Sequence, residues 1–242
     1  MSKQSARETR AERAAAALAV QRRQERRRAS LMIGGVVLAI LVIVVAGFLI
    51  NRARDTSTDV AAPAAGSGNY GVAIGQQDAP HKVVIYEDFL CPYCGELEKV
   101  THSDLATLAD QGKVYVEYRP FNLLQTDYSV NAAAAFKVVL DTSGPDVAKK
   151  FHDLLYADQP EESGPYPDSG WLVDKAVEAG AQEGKVSSDI EQGTGKTWVD
   201  DATKAATDAG VRGTPTILLD GKVFQDGRTV DDLANNLLAE LK

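Results

Sequence analysis

The sequence predicts an α/β domain with a mixed β-sheet, carried behind a single N-terminal transmembrane helix. Three observations lead there. Twenty uncharged residues run from Leu31 to Ile50. Beyond them, β-branched and aromatic runs alternate with helical patterns in the order strand, helix, strand, helical block, strand, strand, helix, which is the pattern of helices packed on a sheet. The only two cysteines, Cys91 and Cys94, follow the first of those strands directly. So close a pair cannot staple a long loop, and the fold must stand on its core.

The chain has 242 residues and 44% hydrophobic side chains, enough for one substantial domain with extra segments. Its net charge of −8 is unevenly spread. Residues 1–30 hold nine basic and three acidic side chains, or +6, which leaves 17 basic and 31 acidic, or −14, for the rest. At about 1.5 Å per residue, the 31–50 run crosses a hydrocarbon core of roughly 30 Å. A buried core helix rarely stays apolar on every face for so long. A cleaved signal peptide is the nearer rival, but its apolar region is usually shorter and lies close to its cleavage site. Here Asn51-Arg52-Ala53-Arg54 follows, and the first Ala-x-Ala candidate, Ala62-Pro63-Ala64, lies far beyond. The arginines of the tail then orient the span, N-terminus in the cytoplasm and the body outside. The acidic body argues against nucleic-acid binding. Residues 51–69, rich in Asp, Thr, Ser, Ala, Pro and Gly, read as a flexible linker, and the folded domain is expected over 70–242.

Within that domain Lys82-Val83-Val84-Ile85-Tyr86 suits a buried strand. A helix is expected from Pro92, tolerated in a first turn, to about Gln111, with Leu97, Val100, Leu105 and Leu108 on one face and Gly112 as its stop. Thr101-His102-Ser103 is a candidate break in it. A second strand is expected at Val114–Tyr118. Helical patterns follow at Ser129–Leu140, Pro145–Tyr156, Gly170–Ala179 and Lys196–Ala209, with Trp171 and Trp198 packing among them. Thr216–Leu219 and Lys222–Phe224 flank Asp220-Gly221, a hairpin turn signal. A last amphipathic helix, Val230–Leu241, is capped by Thr229. Pro215 lies 124 positions after Cys91. A strand and two helices need only about 45 residues, so a helical insertion at about 122–200 must separate the two halves of the sheet.

Three readings compete for the cysteines. Half of a zinc site would need two further ligands from His81, His102, His152 or carboxylates, and these histidines show no paired ligand spacing. An inert disulfide would close a very small loop and add little. A redox dithiol fits the strand-to-helix context. Unpaired N–H groups and the positive end of the helix dipole stabilise a thiolate at Cys91. Cys94, one turn inward, is more shielded and keeps a higher pKa. Cys91 is then the attacking and leaving sulfur, and Cys94 the resolving one.

Asp88-Phe89-Leu90-Cys91-Pro92-Tyr93-Cys94 resembles the active-site segment of DsbA-like proteins in the thioredoxin superfamily, and Gly210-Val211-Arg212-Gly213-Thr214-Pro215-Thr216 resembles their cis-proline loop. The helical insertion is also DsbA-like, and the resemblance covers about residues 70–242. It implies a thioredoxin fold with that insertion, Pro215 cis and facing Cys91, and Pro92, Tyr93 and Pro215 supporting the active site. It also implies that the Thr214 backbone, with Pro215, binds extended substrate. Cys-Pro-Tyr-Cys is typical of glutaredoxins too, but the insertion and anchor argue against that family and against glutathione. One departure stands out. Such proteins often carry a carboxylate six residues before the first cysteine, where this chain has Ile85. Glu87 would share its strand face if the strand persists, and could then serve as a proton acceptor near Cys94. The expectation here is that Glu87 and Asp88 are solvated strand-end acids, and that His81, His102 and His152 are surface or structural.

The resemblance implies an extracytoplasmic thiol–disulfide oxidoreductase that forms disulfides in exported proteins, with Cys91 and Cys94 catalytic. No cofactor or metal is expected beyond the redox-active pair. Its partners would be exported protein thiols and a membrane quinone-linked reoxidase of the DsbB or VKOR type. Two alternatives stay open: a reductase or isomerase, for example in cytochrome c maturation, and a non-catalytic thioredoxin-like binding module.

Overall fold

β-Branched and aromatic side chains at alternating positions need two apolar layers to cover them, and the sheet of this protein is covered on both faces. The computed structural model describes residues 70–242. The basic tail at 1–30, the span at 31–50 and the linker at 51–69 lie outside the described residues. Among the described residues no helix is long and apolar enough to cross a membrane.

The strands are β1 (Val72–Ile74), β2 (His81–Glu87), β3 (Val114–Pro120), β4 (Thr216–Leu219) and β5 (Lys222–Phe224). The helices are α1 (Pro92–Asp110), α2 (Asp127–Ser143), α3 (Pro145–Ala157), α4 (Ser169–Ala179), α5 (Glu183–Gln192), α6 (Lys196–Asp208) and α7 (Val230–Glu240). The strand order is β1-β3-β2-β4-β5. Central β2 runs parallel to β3, and every other neighbour is antiparallel. Val83, Ile85 and Ile217 face a large core shared with α1, α7 and the helical block. Val84, Tyr86 and Leu218 face a smaller cluster with Phe121, Ala206 and Val211. The period-two alternation of a strand produces this division.

Local signals account for the boundaries. Thr229 Oγ1 accepts from the Asp232 N–H at 3.1 Å and caps α7. The β4–β5 turn has positive φ at both Asp220 (51°) and Gly221 (80°), as a tight two-residue hairpin requires. Helix α1 is not broken at Thr101-His102-Ser103. The Thr101 hydroxyl donates to the Leu97 carbonyl at 2.9 Å, one turn back, and the helix continues around it.

Two elements are absent from the sequence expectation. Strand β1 has three residues, too few to display an alternation, and exists by pairing with β3. Helix α5 buries only Val186 and Ile190, a pair four apart, and its N-cap Gln182 makes no side-chain cap bond. Helix α6 ends at Asp208, within one residue of the expected Lys196–Ala209. The end of α6 crosses to the second face of the sheet, where Ala206 covers Val84 and Tyr86.

Leu105 is fully buried where α1 meets the main core. Leu105→Ala should lower unfolding stability by about 3 kcal/mol, read as a fall in the denaturant midpoint without a change in slope.

Candidate active site

Strand β2 ends at Glu87 and the chain turns through Asp88-Phe89-Leu90 into α1. Cys91 is the N-cap residue of that helix and Pro92 its first residue, where a missing N–H leaves nothing unpaired. The Cys91 carbonyl accepts from the N–H groups of Cys94 (3.0 Å) and Gly95 (3.2 Å), closing the first turn. Tyr93 is 58% exposed, whereas Cys91 and Cys94 are buried and unbridged. From the other half of the sheet, Thr214-Pro215 enters β4 with a cis peptide bond. Tyr86 pairs with Thr216 across β2 and β4. That register brings the two loops together, and the Cys91 thiol donates to the Thr214 carbonyl at 3.4 Å.

The two sulfurs sit in opposite environments. A hydrogen bond from the Cys94 thiol is the strongest influence lowering Cys91, and it outweighs the opposing effect of burial. The Thr214 side chain and the N–H groups of Cys94 and Tyr93 add to it, bringing Cys91 down to about 6. The Thr214 hydroxyl is buried with no hydrogen-bond partner, which suits a donor kept for a thiolate. Cys94 is pushed well above the ordinary thiol range by burial, then by its bond to Cys91 and by the charges of Cys91 and Glu87. The pair is therefore one ionisable, outward sulfur and one protonated, inward sulfur.

The acids before Cys91 are not solvated, contrary to the sequence expectation. Strand β2 persists to Glu87, whose partner in β3 is Pro120, so Glu87 shares the inward face of Ile85. Glu87 is 2% exposed and Asp88 0%. Each meets the cost of burial differently. Asp88 Oδ1 accepts from the Leu90 N–H (2.9 Å) and the Ser129 hydroxyl (2.7 Å). Its Oδ2 accepts from the N–H groups of Leu123 (2.9 Å) and Leu124 (3.0 Å). One carboxylate thus ties the active-site turn to the segment after β3 and to the start of α2.

Glu87 is paired instead with His152 of α3, Oε1 to Nε2 at 2.7 Å. His152 is structural in the sense expected, but completely buried, with Nδ1 2.9 Å from Asp153 Oδ1. Burial pushes Glu87 up, against the pull of His152. Burial also opposes a charge on His152, yet Glu87 and Asp153 outweigh it and raise the imidazole to about 9. Both shifts have one meaning: the pair holds a proton at neutral pH along the Oε1–Nε2 line.

Gln159, in the loop after α3, donates from Nε2 to the carbonyls of Phe89 (2.9 Å) and Cys91 (3.0 Å). A Cβ on Gly95 would come within 2.4 Å of Gln159 Oε1, so glycine at that position makes the clamp possible. Glu98, His102 and Asp153 place ligand atoms within 4.8 Å of one another. Lys149 Nζ lies 3.3 Å from Glu98 and also pairs with Asp153, so this is an ion-pair network and not a cation site. His81 lies elsewhere, paired with Asp220 at 3.1 Å. Trp171 and Trp198 pack on Tyr128 and Phe136 in the helical block.

Two outcomes follow from this geometry. Alkylation of reduced Cys91 by iodoacetamide should follow thiolate formation with a midpoint at about pH 6, and Thr214→Val should move that midpoint upward. Asp88→Asn places an amide against donors that need an acceptor. It should cost about 3 kcal/mol of unfolding free energy, measured by denaturant titration.

A thioredoxin family (Thioredoxin_4) matches residues 67–238 of the chain. The serine/threonine-protein kinase PknE of Mycobacterium tuberculosis is 27% identical over 160 residues, covering 62% of this chain and 28% of that protein. The chain thus spans about 28% of the length of the first curated relatives it matches. Disulfide bond formation protein D of Bacillus subtilis is 25% identical over 175 residues, 70% of this chain and 76% of that one. Among solved structures, the reduced disulfide bond oxidoreductase DsbG of Mycobacterium tuberculosis aligns with a TM-score of 0.62 at 30% identity. That match covers 74% of this chain and 88% of the other. With its paired cysteines at a helix start and a cis-proline beside them, the chain belongs to the thioredoxin family, close to members that are disulfide oxidoreductases.

Proposed function

We propose that this protein is a thiol–disulfide oxidoreductase that forms disulfides in exported proteins, anchored through residues 31–50 with its catalytic domain outside the cytoplasm. The observation that carries the reading is the unequal pair of sulfurs, with Cys91 down to about 6 and Cys94 far above it. A thiolate held this way stabilises the dithiol form, and stabilising the dithiol makes the disulfide a stronger oxidant.

In the forward reaction a substrate thiolate attacks Cys91 of the Cys91–Cys94 disulfide. The Cys91–Cys94 bond breaks, Cys94 leaves as a thiolate, and it takes up a proton in its buried site. A second substrate thiolate then attacks the substrate sulfur of the mixed disulfide and releases the Cys91 thiolate. The substrate loses two electrons and the enzyme gains them. The low pKa of Cys91 makes it the better leaving group in this second exchange. Beside Cys91 the Thr214–Pro215 edge presents backbone to which an extended substrate segment adds as a strand, while exposed Tyr93 flanks the opening. No cofactor beyond the cysteine pair enters this scheme. Return of the enzyme to the disulfide falls to a membrane quinone-linked partner of the DsbB or VKOR type. The chain's likeness to disulfide bond formation protein D and to DsbG supports the exchange chemistry. The arginine-rich tail before an uncharged run of twenty residues supports the topology.

The reduction potential of the full chain should lie well above the roughly −270 mV of thioredoxin. Cys94→Ala should accumulate mixed disulfides with exported proteins. A potential at or below thioredoxin's, with the pair mostly reduced in cells, would point to a reductase instead. Protease added to intact cells should digest the catalytic domain, and full protection would contradict the topology.

A further inference from the structure

Disulfide exchange requires three sulfurs to lie nearly in line, so the direction in which Cys91 projects its sulfur governs how fast Cys94 can close the ring. That direction is set by the peptide planes around the Cys91 Cα, because each plane is rigid and only the dihedrals between planes are soft. Three consecutive planes are held. The Phe89–Leu90 peptide is fixed at both ends: its N–H donates to Asp88 Oδ1 at 2.9 Å and its carbonyl accepts from Gln159 Nε2 at 2.9 Å. The next plane donates from the Cys91 N–H to the Asp88 carbonyl at 2.9 Å. The Cys91–Pro92 peptide has no N–H, and its carbonyl accepts from Gln159 Nε2 at 3.0 Å as well as from the first turn of α1. A side-chain amide nitrogen carries two N–H donors, and Gln159 places both on carbonyls that bracket Leu90 and Cys91. Gln159 is itself well fixed. It precedes Pro160, which favours an extended backbone at Gln159. Asp158 beside it donates its N–H to the Leu154 carbonyl at 3.1 Å and pairs with Lys175 of α4 at 2.5 Å. The Gln159 amide lies over Gly95, where a Cβ would come within 2.4 Å of Oε1 and 3.2 Å of Cδ.

We propose that Gln159 is a positioning residue for the ring-closing half of disulfide exchange, and that position 95 is glycine in order to admit its amide. This rests on the oxidoreductase reading and adds to it a residue supplied by the helical insertion. In the closing step the Cys94 thiolate, its proton released to solvent, attacks the Cys91 sulfur of a mixed disulfide. The Cys91–Cys94 bond forms, the bond from Cys91 to the outer sulfur breaks, and the outer thiolate leaves with the electron pair. The cysteine pair is oxidised by two electrons and the outer disulfide is reduced. Tilting the planes that flank the Cys91 Cα swings its sulfur off the line of attack from Cys94, whose own place is fixed within α1. The first attack, by Cys91 on an incoming disulfide, makes no such demand, because a free reagent approaches along whatever direction the thiolate offers. The two halves of the reaction therefore respond differently when the Gln159 bonds are lost. Asp88 holds the same turn from the other side, but it also carries the segment after β3 and the start of α2. Gln159 is only half-buried, and removing it leaves those contacts in place.

The test mixes the reduced full chain with dithiodipyridine, an aromatic disulfide, in enough excess that the first release of thiopyridone outruns the second. The first release reports attack by Cys91 and rises with reagent concentration. The second reports ring closure by Cys94 and does not. Because a misplacement of about 1 Å costs on the order of 10²-fold in such steps, Gln159→Ala should slow the second release about tenfold and leave the first unchanged. Gly95→Ala pushes the amide off its carbonyls while favouring the helix. It should slow the second release likewise, without lowering the denaturant midpoint. The double variant should close no more slowly than the slower single one, because both changes remove the same two bonds. If Gln159→Ala does not fold, Gly95→Ala decides. A wild-type second release in either folded variant overturns the proposal, as does an equal slowing of both releases or a slowing that follows loss of stability. Absence of both releases from the wild type would instead contradict the oxidoreductase reading itself.

Discussion

The antiparallel pairing of β2 with β4 is the constraint on which the site depends. Cys91 and Thr214 lie 123 positions apart, and nothing local holds them together. The register that opposes Tyr86 to Thr216 sets the end of one strand beside the start of the other. A slip of one residue would turn Ile217 and Leu218 to the wrong faces and carry the Pro215 loop away from the sulfur. Both strands are inner strands of the sheet, buried on two sides, so such a slip would expose apolar surface on each side. Packing thus enforces the geometry that the chemistry uses.

Against that frame the protein buries acidic groups directly behind its reactive sulfurs, where an unpaired charge is costly. Asp88 is saturated by four donors drawn from three segments, which makes it a mechanical joint between the active-site turn and the helical block. Glu87 is hydrogen-bonded to a titratable side chain, His152. The difference matters. A carboxylate surrounded by N–H and O–H donors holds a shape, whereas one facing an imidazole shares a proton with it. Two adjacent acids, alternating across the end of a strand, serve these different ends.

Much of this was legible in the residues. The Lys82–Tyr86 run, Pro92 at a helix start, the Asp220-Gly221 turn and the Thr229 cap each carry a local physical signal, and each element lies where its signal puts it. The cysteine pair and Gly-Thr-Pro marked both halves of the site. What was not legible depends on partners distant in sequence. Glu87 and Asp88 look like solvated acids because their neutralising groups, Ser129 and His152, come from the helical insertion. The parity of Glu87 with Ile85 was the one available hint, and it needed the strand to continue to Glu87. Gln159 lies in an acidic, proline-rich loop whose composition says only that it is a loop. Strand β1 exists through its pairing alone.

The central claim is that the fold favours a thiolate at Cys91, and hence favours the dithiol over the disulfide. Because folding lowers the pKa of Cys91, this contribution is complete above the unfolded thiol value of about 8.5 and is lost as pH falls through about 6. Denaturant unfolding of the oxidised and reduced forms, compared across that range, tests it most directly. The reduced form should be the more stable at pH 7, by a margin that shrinks toward pH 5. An oxidised form of equal or greater stability at pH 7, or a margin indifferent to pH, would contradict the account.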